Sequence, residues 1–401
     1  MSALRRCSFV ALVTSAVLAG GLPPLPATAS PAPAPAPAPR VTVSFPTAPD
    51  GRPVELPTKI NDRGEVVGVL VDTPTSVATV VWQRGRVTPL GPAGLPVLAP
   101  RDISERGQVV GMKLLAFDQA VPFSWHRGQL VDLPIERPAG VASDVSERGW
   151  ALGVQSEAPG ASGTPVAWTP GGELVTPPAL PEGQRFDGNV AGTRRINDRG
   201  QAALDVVVDG VRRAAVWQVG GGITLLPTLG GQGSTAVAIN QRGDVVGASS
   251  TPGSPGHAFL WRARDRRPID LGALGTGTSQ PTALNDRGEV VGTSVNAAGR
   301  RVPFLWRNGT MTELATLGST TSSPSATPHD INNRGQVVGD ANLPGGPVHA
   351  TLWQDGRLVD LGALADPAVA SSALDINDRG EILGWLITTA FGRSVLWTAR
   401  P

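Results

Sequence analysis

The sequence predicts an all-β protein: a β-propeller of four-stranded antiparallel blades, eight the favoured count, closed by an N-terminal strand that completes the last blade. Three observations predict it. A nine-residue phrase recurs eight times, a tryptophan follows every copy at a near-constant distance, and the two ends of the chain carry complementary parts of one repeat.

The phrase reads INDRGEVVG from Ile60, ISERGQVVG from Ile103, VSERGWALG from Val145, INDRGQAAL from Ile196, INQRGDVVG from Ile239, LNDRGEVVG from Leu284, INNRGQVVG from Ile331 and INDRGEILG from Ile376. Its turn glycines, Gly64, Gly107, Gly149, Gly200, Gly243, Gly288, Gly335 and Gly380, are 42 to 51 residues apart, a period that belongs to propellers and solenoids. Between 17 and 19 residues after each stands Trp82, Trp125, Trp168, Trp217, Trp261, Trp306, Trp353 or Trp397. Two signals locked in phase eight times mark architecture.

One unit shows the strands. Ala283-Leu284 leads into Asn285-Asp286-Arg287-Gly288; Glu289 to Thr293 and Arg301 to Trp306 are β-rich runs; Arg307-Asn308-Gly309 turns into Met311 to Leu314. No helical period appears in the unit, and a four-stranded meander of this length is a propeller blade. Asn-Asp-Arg-Gly fits a type I turn, with Asn or Ser first, charged residues in the middle and Gly fourth in a left-handed conformation. Residues two before the tryptophans share their face, as Phe123 does with Trp125, Phe259 with Trp261 and Phe304 with Trp306. These residues form a packing stripe between blades, and the tryptophans are core.

The last unit ends at Trp397-Thr398-Ala399-Arg400-Pro401 without a fourth strand. DGRPVELP, from Asp50, matches DGRLVDLG, from Asp355, and is expected to supply it. Val41 to Phe45 is either a further edge strand or part of a leash. With strands running outward from the axis, the eight turns share one face and the variable connections the other. The longest connection, Pro177 to Arg195, offers Glu182, Arg185 and Asp187 as binding candidates, since loops on a rigid scaffold carry function.

Arg5 and Arg6, an apolar run from Phe9 to about Leu22, and Ala27-Thr28-Ala29 read as an export signal over residues 1–29. Residues 30–40, SPAPAPAPAPR, are an extended spacer, and 41–401 form one propeller domain. Cys7 is the sole cysteine and lies in the signal, so the expected mature chain has neither disulfides nor cysteine-bound metal. Without Arg5 and Arg6, 32 basic residues face 33 acidic ones, a balance that gives no footprint for nucleic acid. No later segment has the roughly 20 apolar residues of a spanning helix, so no membrane insertion is expected after the signal is removed.

The stretch from Asp270 to Gly292, DLGALGTGTSQPTALNDRGEVVG, together with GHAFLW, Gly256 to Trp261, resembles the HAF family of extracellular repeats, named for a triplet that stands here as His257-Ala258-Phe259. The resemblance covers Asp50 to Trp397. His349-Ala350-Thr351 is a near match, and Pro122-Phe123 and Pro303-Phe304 keep the aromatic without the histidine. It implies export and tandem β-repeats, and brings no activity or catalytic residue with it.

The four histidines, His126, His257, His329 and His349, have no metal-ligand spacing, and no nucleophile elbow, phosphate loop or dinucleotide fingerprint occurs. A calcium loop needs several converging oxygens, which the arginine in each turn interrupts. The turn arginines, Arg63, Arg106, Arg148, Arg199, Arg242, Arg287, Arg334 and Arg379, would make a polyanion site, but acids such as Asp62, Glu105, Glu147, Asp198, Asp286 and Asp378 beside them point to local neutralisation. The sequence therefore predicts a secreted, non-enzymatic binding or scaffold module without metal or cofactor, its partner a surface glycan or a protein. The alternatives are a polysaccharide lyase or hydrolase on the same fold, using Glu182, Arg185 and Asp187, and a purely structural envelope protein.

Overall fold

A computed structural model describes residues 40–73, 76–91, 98–116, 119–188, 194–318, 325–388 and 392–400. The expected signal and all of the Pro-Ala tract except Arg40 lie outside them. Blade 6 gives the pattern: Ser279–Leu284 is the inner strand, followed outward by Val290–Val295, Arg301–Arg307 and Thr310–Glu313. Six sheets have this four-strand form, and one eight-stranded sheet holds two repeats that touch at Glu55↔Arg393. Those two are blade 8 and blade 1. First strands of neighbouring blades face one another round an axis.

Alternation along the third strand drives the packing. Phe304 and Trp306 are buried against blade 5, where Ala238, Val246, Ala258, Leu260 and Leu271 complete one cluster. The indole N–H of Trp168 donates to Pro134 O, that of Trp353 to Ala315 O and that of Trp397 to Leu361 O, each on the connection after the preceding blade's outer strand. Trp82 of blade 1 bonds Thr47 O, which gives residues 45–47 the same place after blade 8.

The closing strand is Arg40–Ser44. It pairs antiparallel with Arg393–Arg400, in register from Arg40↔Arg400 to Ser44↔Leu396. This corrects the expectation for Asp50 to Pro57. There Ala48 N bonds Arg52 O and Asp50 accepts from Arg52 N, so the segment turns and then enters the inner strand of blade 1, Glu55–Ile60. What it shares with Asp355-Gly356-Arg357 is turn chemistry rather than a strand. Arg40 opens the closing strand, so the propeller begins one residue earlier than the sequence reading placed it.

Inner strands carry a one-residue bulge just before the turn, seen between Ala236 and Ala238, Pro281 and Ala283, and Pro328 and Asp330. The bulge presses backbone onto the second strand. A Cβ on Gly292 would lie 2.1 Å from Gln280 O, and one on Gly339 2.1 Å from Thr327 O. Hence the ninth residue of the phrase is glycine in seven copies. Blade 4 has Leu204 there, and its inner strand departs: Gln184–Phe186 pairs with the second strand, Asp187 N bonds Asp205 O, and pairing resumes where Ala203 N bonds Arg195 O. A side chain at the ninth position and a close-passing strand exclude each other.

Candidate functional site

The eight turns build the site. Each turn glycine has a positive φ, between 65° and 90°, and donates its N–H to the carbonyl of the Asn or Ser three residues earlier. The Asn side-chain oxygen accepts from the arginine N–H two residues on, as Asn285 does from Arg287. Its amide then crosses to the next blade: Asn240 donates to Asn285 O, Asn285 to Asn332 O, Asn332 to Asn377 O and Asn377 to Asn61 O.

A second circle runs through the following residue. Asp62 N bonds Glu105, Glu105 N bonds Glu147, Arg148 N bonds Asp198, Asp198 N bonds Gln241, Gln241 N bonds Asp286, Asp286 N bonds Asn333, Asn333 N bonds Asp378 and Asp378 N bonds Asp62, all within 3.0 Å. Each blade donates backbone to the side chain of the next until the circle is complete. These side chains rim a mouth of 270 Å³ at the end of the axial channel.

The residue that precedes each phrase is Lys59, Asp102, Asp144, Arg195, Ala238, Ala283, Asp330 and Asp375 in blade order, and of these Lys59, Asp102, Asp144 and Asp375 line the mouth. The aspartates accept the next blade's N–H, Asp375 from Ile60, Asp102 from Val145 and Asp144 from Ile196. Lys59 Nζ sits 3.0 Å from Asp375. Arg194, delivered by the departure in blade 4, reaches past blades 5 and 6 to lie 3.7 Å from Asp330.

Burial first, then the neighbouring Glu147 and Asp62 carboxylates, push the Glu105 carboxyl up to about 8. Burial pushes Glu147 up to about 7 and Asp330 up to about 6. Burial and the adjacent Asp144 raise Asp102 well above the usual carboxylate range. Asp375 is the exception: burial opposes its charge, but Lys59 and the Ile60 N–H outweigh it and hold the carboxyl low.

The turn arginines divide into two sets. Arg63 pairs with Glu65 at 2.7 Å, Arg242 with Asp244 at 2.9 Å, Arg287 with Glu289 at 2.8 Å and Arg379 with Glu381 at 2.5 Å. The expected local neutralisation thus comes from the acid after the glycine. Arg106, Arg148, Arg199 and Arg334 have Gln108, Trp150, Gln201 and Gln336 at that place, and among the described residues none of the four is in an ion pair.

Of the loop candidates, Glu182 is exposed, Asp187 pairs with Arg212 at 3.0 Å, and Arg185 lines a 440 Å³ cleft with Glu136, Arg137 and Phe186. Arg185 lies in the inner strand of blade 4, opposite Val207, rather than in a loop. The structure does not bring the three to one point. Sequence reasoning missed Lys59, Asp102, Asp144, Arg194, Asp330 and Asp375. All but Arg194 stand in one column, the residue just ahead of the apolar first position of the phrase, which is charged in six of eight copies; Arg194 lies one residue outside it. Among the described residues, no group of three or more His, Cys, Asp or Glu is placed to hold a metal ion, and no helix is long and apolar enough to cross a membrane.

This fold and its ringed mouth define a β-propeller. No family model matches the chain, and no curated protein sequence matches it. Among solved structures it is similar to Porphyromonas gingivalis dipeptidyl peptidase 4, with a TM-score of 0.52 at 10% identity over 82% of this chain and 56% of that one. It is also similar to the propeller domain of the Trilobed protease from Pyrococcus furiosus, with a TM-score of 0.47 at 12% identity over 77% of this chain and 98% of that one. The chain spans little more than half of the dipeptidyl peptidase, and the likeness shows the fold alone.

Proposed function

We propose that this is an exported, non-enzymatic binding or scaffold module at the cell surface, receiving its partner on the face of the turns. The observation that supports this reading is a rigid frame with variable chemistry. Eight turn backbones are tied by a continuous hydrogen-bonded circle, while the side chains they present change from blade to blade between acid, amide and indole. Residues held in place by the scaffold and varied in charge are what recognition requires. The resemblance to HAF repeats and the signal-like N-terminus support export.

A screen of the purified protein against surface glycans, wall polymers and divalent cations, read by thermal shift and calorimetry, tests the reading. A saturable ligand whose binding is lost on altering turn-face side chains is the expected result. Binding that depends only on the opposite loops would reassign the face. Turnover abolished by Glu182→Gln or Asp187→Asn would favour the polysaccharide-acting enzyme instead.

A further inference from the structure

We propose that the arginine-rich arc of the turn face over blades 1 to 4 is a docking surface for an acidic polysaccharide. The inference rests on the binding-module reading and names its ligand class. Arg106, Arg148 and Arg199 are exposed on consecutive turns. The third-to-fourth hairpins stand on the same face, because Gln83 Nε2 bonds Arg63 O, His126 Nε2 lies 3.2 Å from Arg106 O and Gln218 Nε2 bonds Arg199 O. Those hairpins add Arg84, Arg86 and Arg127, all exposed. Among the described residues none of these six guanidinium groups is in an ion pair.

The acids between them do not cancel the arc. Glu105 and Glu147 line the mouth, these two and Asp198 accept the backbone N–H of the preceding blade, and Glu173 is left as an exposed acid beside the third hairpin. Arg199 bonds Arg242 O at 3.3 Å and keeps its charge. Burial also raises the Glu105 and Glu147 carboxyls to about 8 and about 7, so neither carries a full negative charge at neutral pH. Across the mouth, on blades 5, 6 and 8, every turn arginine is paired. Unpaired arginines are thus densest over blades 1 to 4, while the other half of the face adds only Arg266, Arg267 and Arg334 as exposed arginines outside the recorded ion pairs among the described residues.

The partner's class follows from what accompanies the charge. Among the described residues no aromatic side chain is fully exposed, and the one indole within the arc, Trp150, is half-buried against Gly200, so the arc has no row of open rings on which successive bases could stack. The exposed apolar residues Val77, Leu115, Val348 and Ile387 flank the second-to-third hairpins on the opposite face, so a lipid surface would have to be met there. Planar guanidinium forks suit carboxylate, sulfate or phosphate groups spaced along a hydrated chain.

The test compares binding of the full chain to polygalacturonate, neutral dextran and duplex DNA. Polygalacturonate should bind, dextran should not, and affinity should fall on the order of tenfold between low and high salt. The triple variant Arg106→Gln, Arg148→Gln, Arg199→Gln should weaken binding by about tenfold. The triple variant Arg242→Gln, Arg287→Gln, Arg379→Gln, which removes the same charge from paired positions, should bind as the parent does. Melting curves establish that both variants fold, and Arg148→Gln alone replaces the first should it not. Equal loss in both triple variants, salt-independent binding or no binding to polygalacturonate would overturn the proposal. DNA bound as tightly as polygalacturonate would overturn the polymer class. A neutral glycan that binds while polygalacturonate does not would leave the binding-module reading standing without it.

Discussion

A single hydroxyl shows how closely the blades are matched to one another. Ser234, Ser279 and Ser371 open inner strands, and their Oγ atoms accept from Ala214, Ala258 and Ala350 N, three residues before the preceding blade's tryptophan. In blade 6 that place is Pro303, which has no N–H, and the Ser325 Oγ facing it is buried without a partner. Ser279→Ala should cost about 1–3 kcal/mol, whereas Ser325→Ala should be neutral or stabilising. Equal destabilisation of the two in urea titrations would contradict this account. Glycines separate in the same manner. Gly288→Ala meets a left-handed penalty of about 1–2 kcal/mol, and its Cβ would press on the mobile end of Arg242. Gly292→Ala drives a Cβ into backbone and should cost more, about 3 kcal/mol or above. The reverse order of melting temperatures would show that the bulge, not the turn, is the softer part.

At the scale of the element, strands, turns and phase were legible because repetition multiplies a weak local signal eight times. The inner-strand bulge was not, since nothing in a single blade announces that one backbone will cross another within van der Waals distance. Leu204 was the one visible departure: the copy without the ninth glycine is also the one with the longest connection before it. Likewise the closing strand was misplaced because Asp50-Gly51-Arg52 matches Asp355-Gly356-Arg357 in sequence though not in backbone conformation, Asp355 alone of the two aspartates having a positive φ, while the likeness of Arg40-Val41-Thr42 to the outer strand Arg86-Val87-Thr88 is only three residues long. Its place depends on the pairing with Arg393–Arg400 and on Val41, Val43 and Phe45 packing against the last core cluster. Removing residues 1–45 should therefore lower the melting temperature, and a peptide spanning residues 38–47 should raise it again by strand addition. A truncated protein that melts like the parent would assign closure to the turn circles instead.

For the whole molecule, the mouth makes stability depend on pH in an unusual direction. Asp102, Glu105, Glu147 and Asp330 hold protons more tightly when folded, so the folded chain binds more protons than the unfolded one above about pH 4. Their contribution is complete below the unfolded carboxylate range, and that of Asp330, Glu147 and Glu105 is lost as pH rises through about 6 to 8. Asp375 and Glu289, held low despite burial by Lys59 and by Arg287 respectively, act oppositely and lose their contribution as pH falls below about 4. Denaturation midpoints should be highest at mildly acidic pH and decline toward pH 8; a steady rise over that interval would refute the assignment. The circle has one more consequence. The first strand of the propeller to leave the ribosome has as its partner the last one made, Arg40 against Arg400. A chain that stops short can stack its early blades, yet its opening strand stays unmatched. Closure therefore waits for the last strand, and a prematurely ended copy is expected to leave Arg40–Ser44 as an unpaired edge.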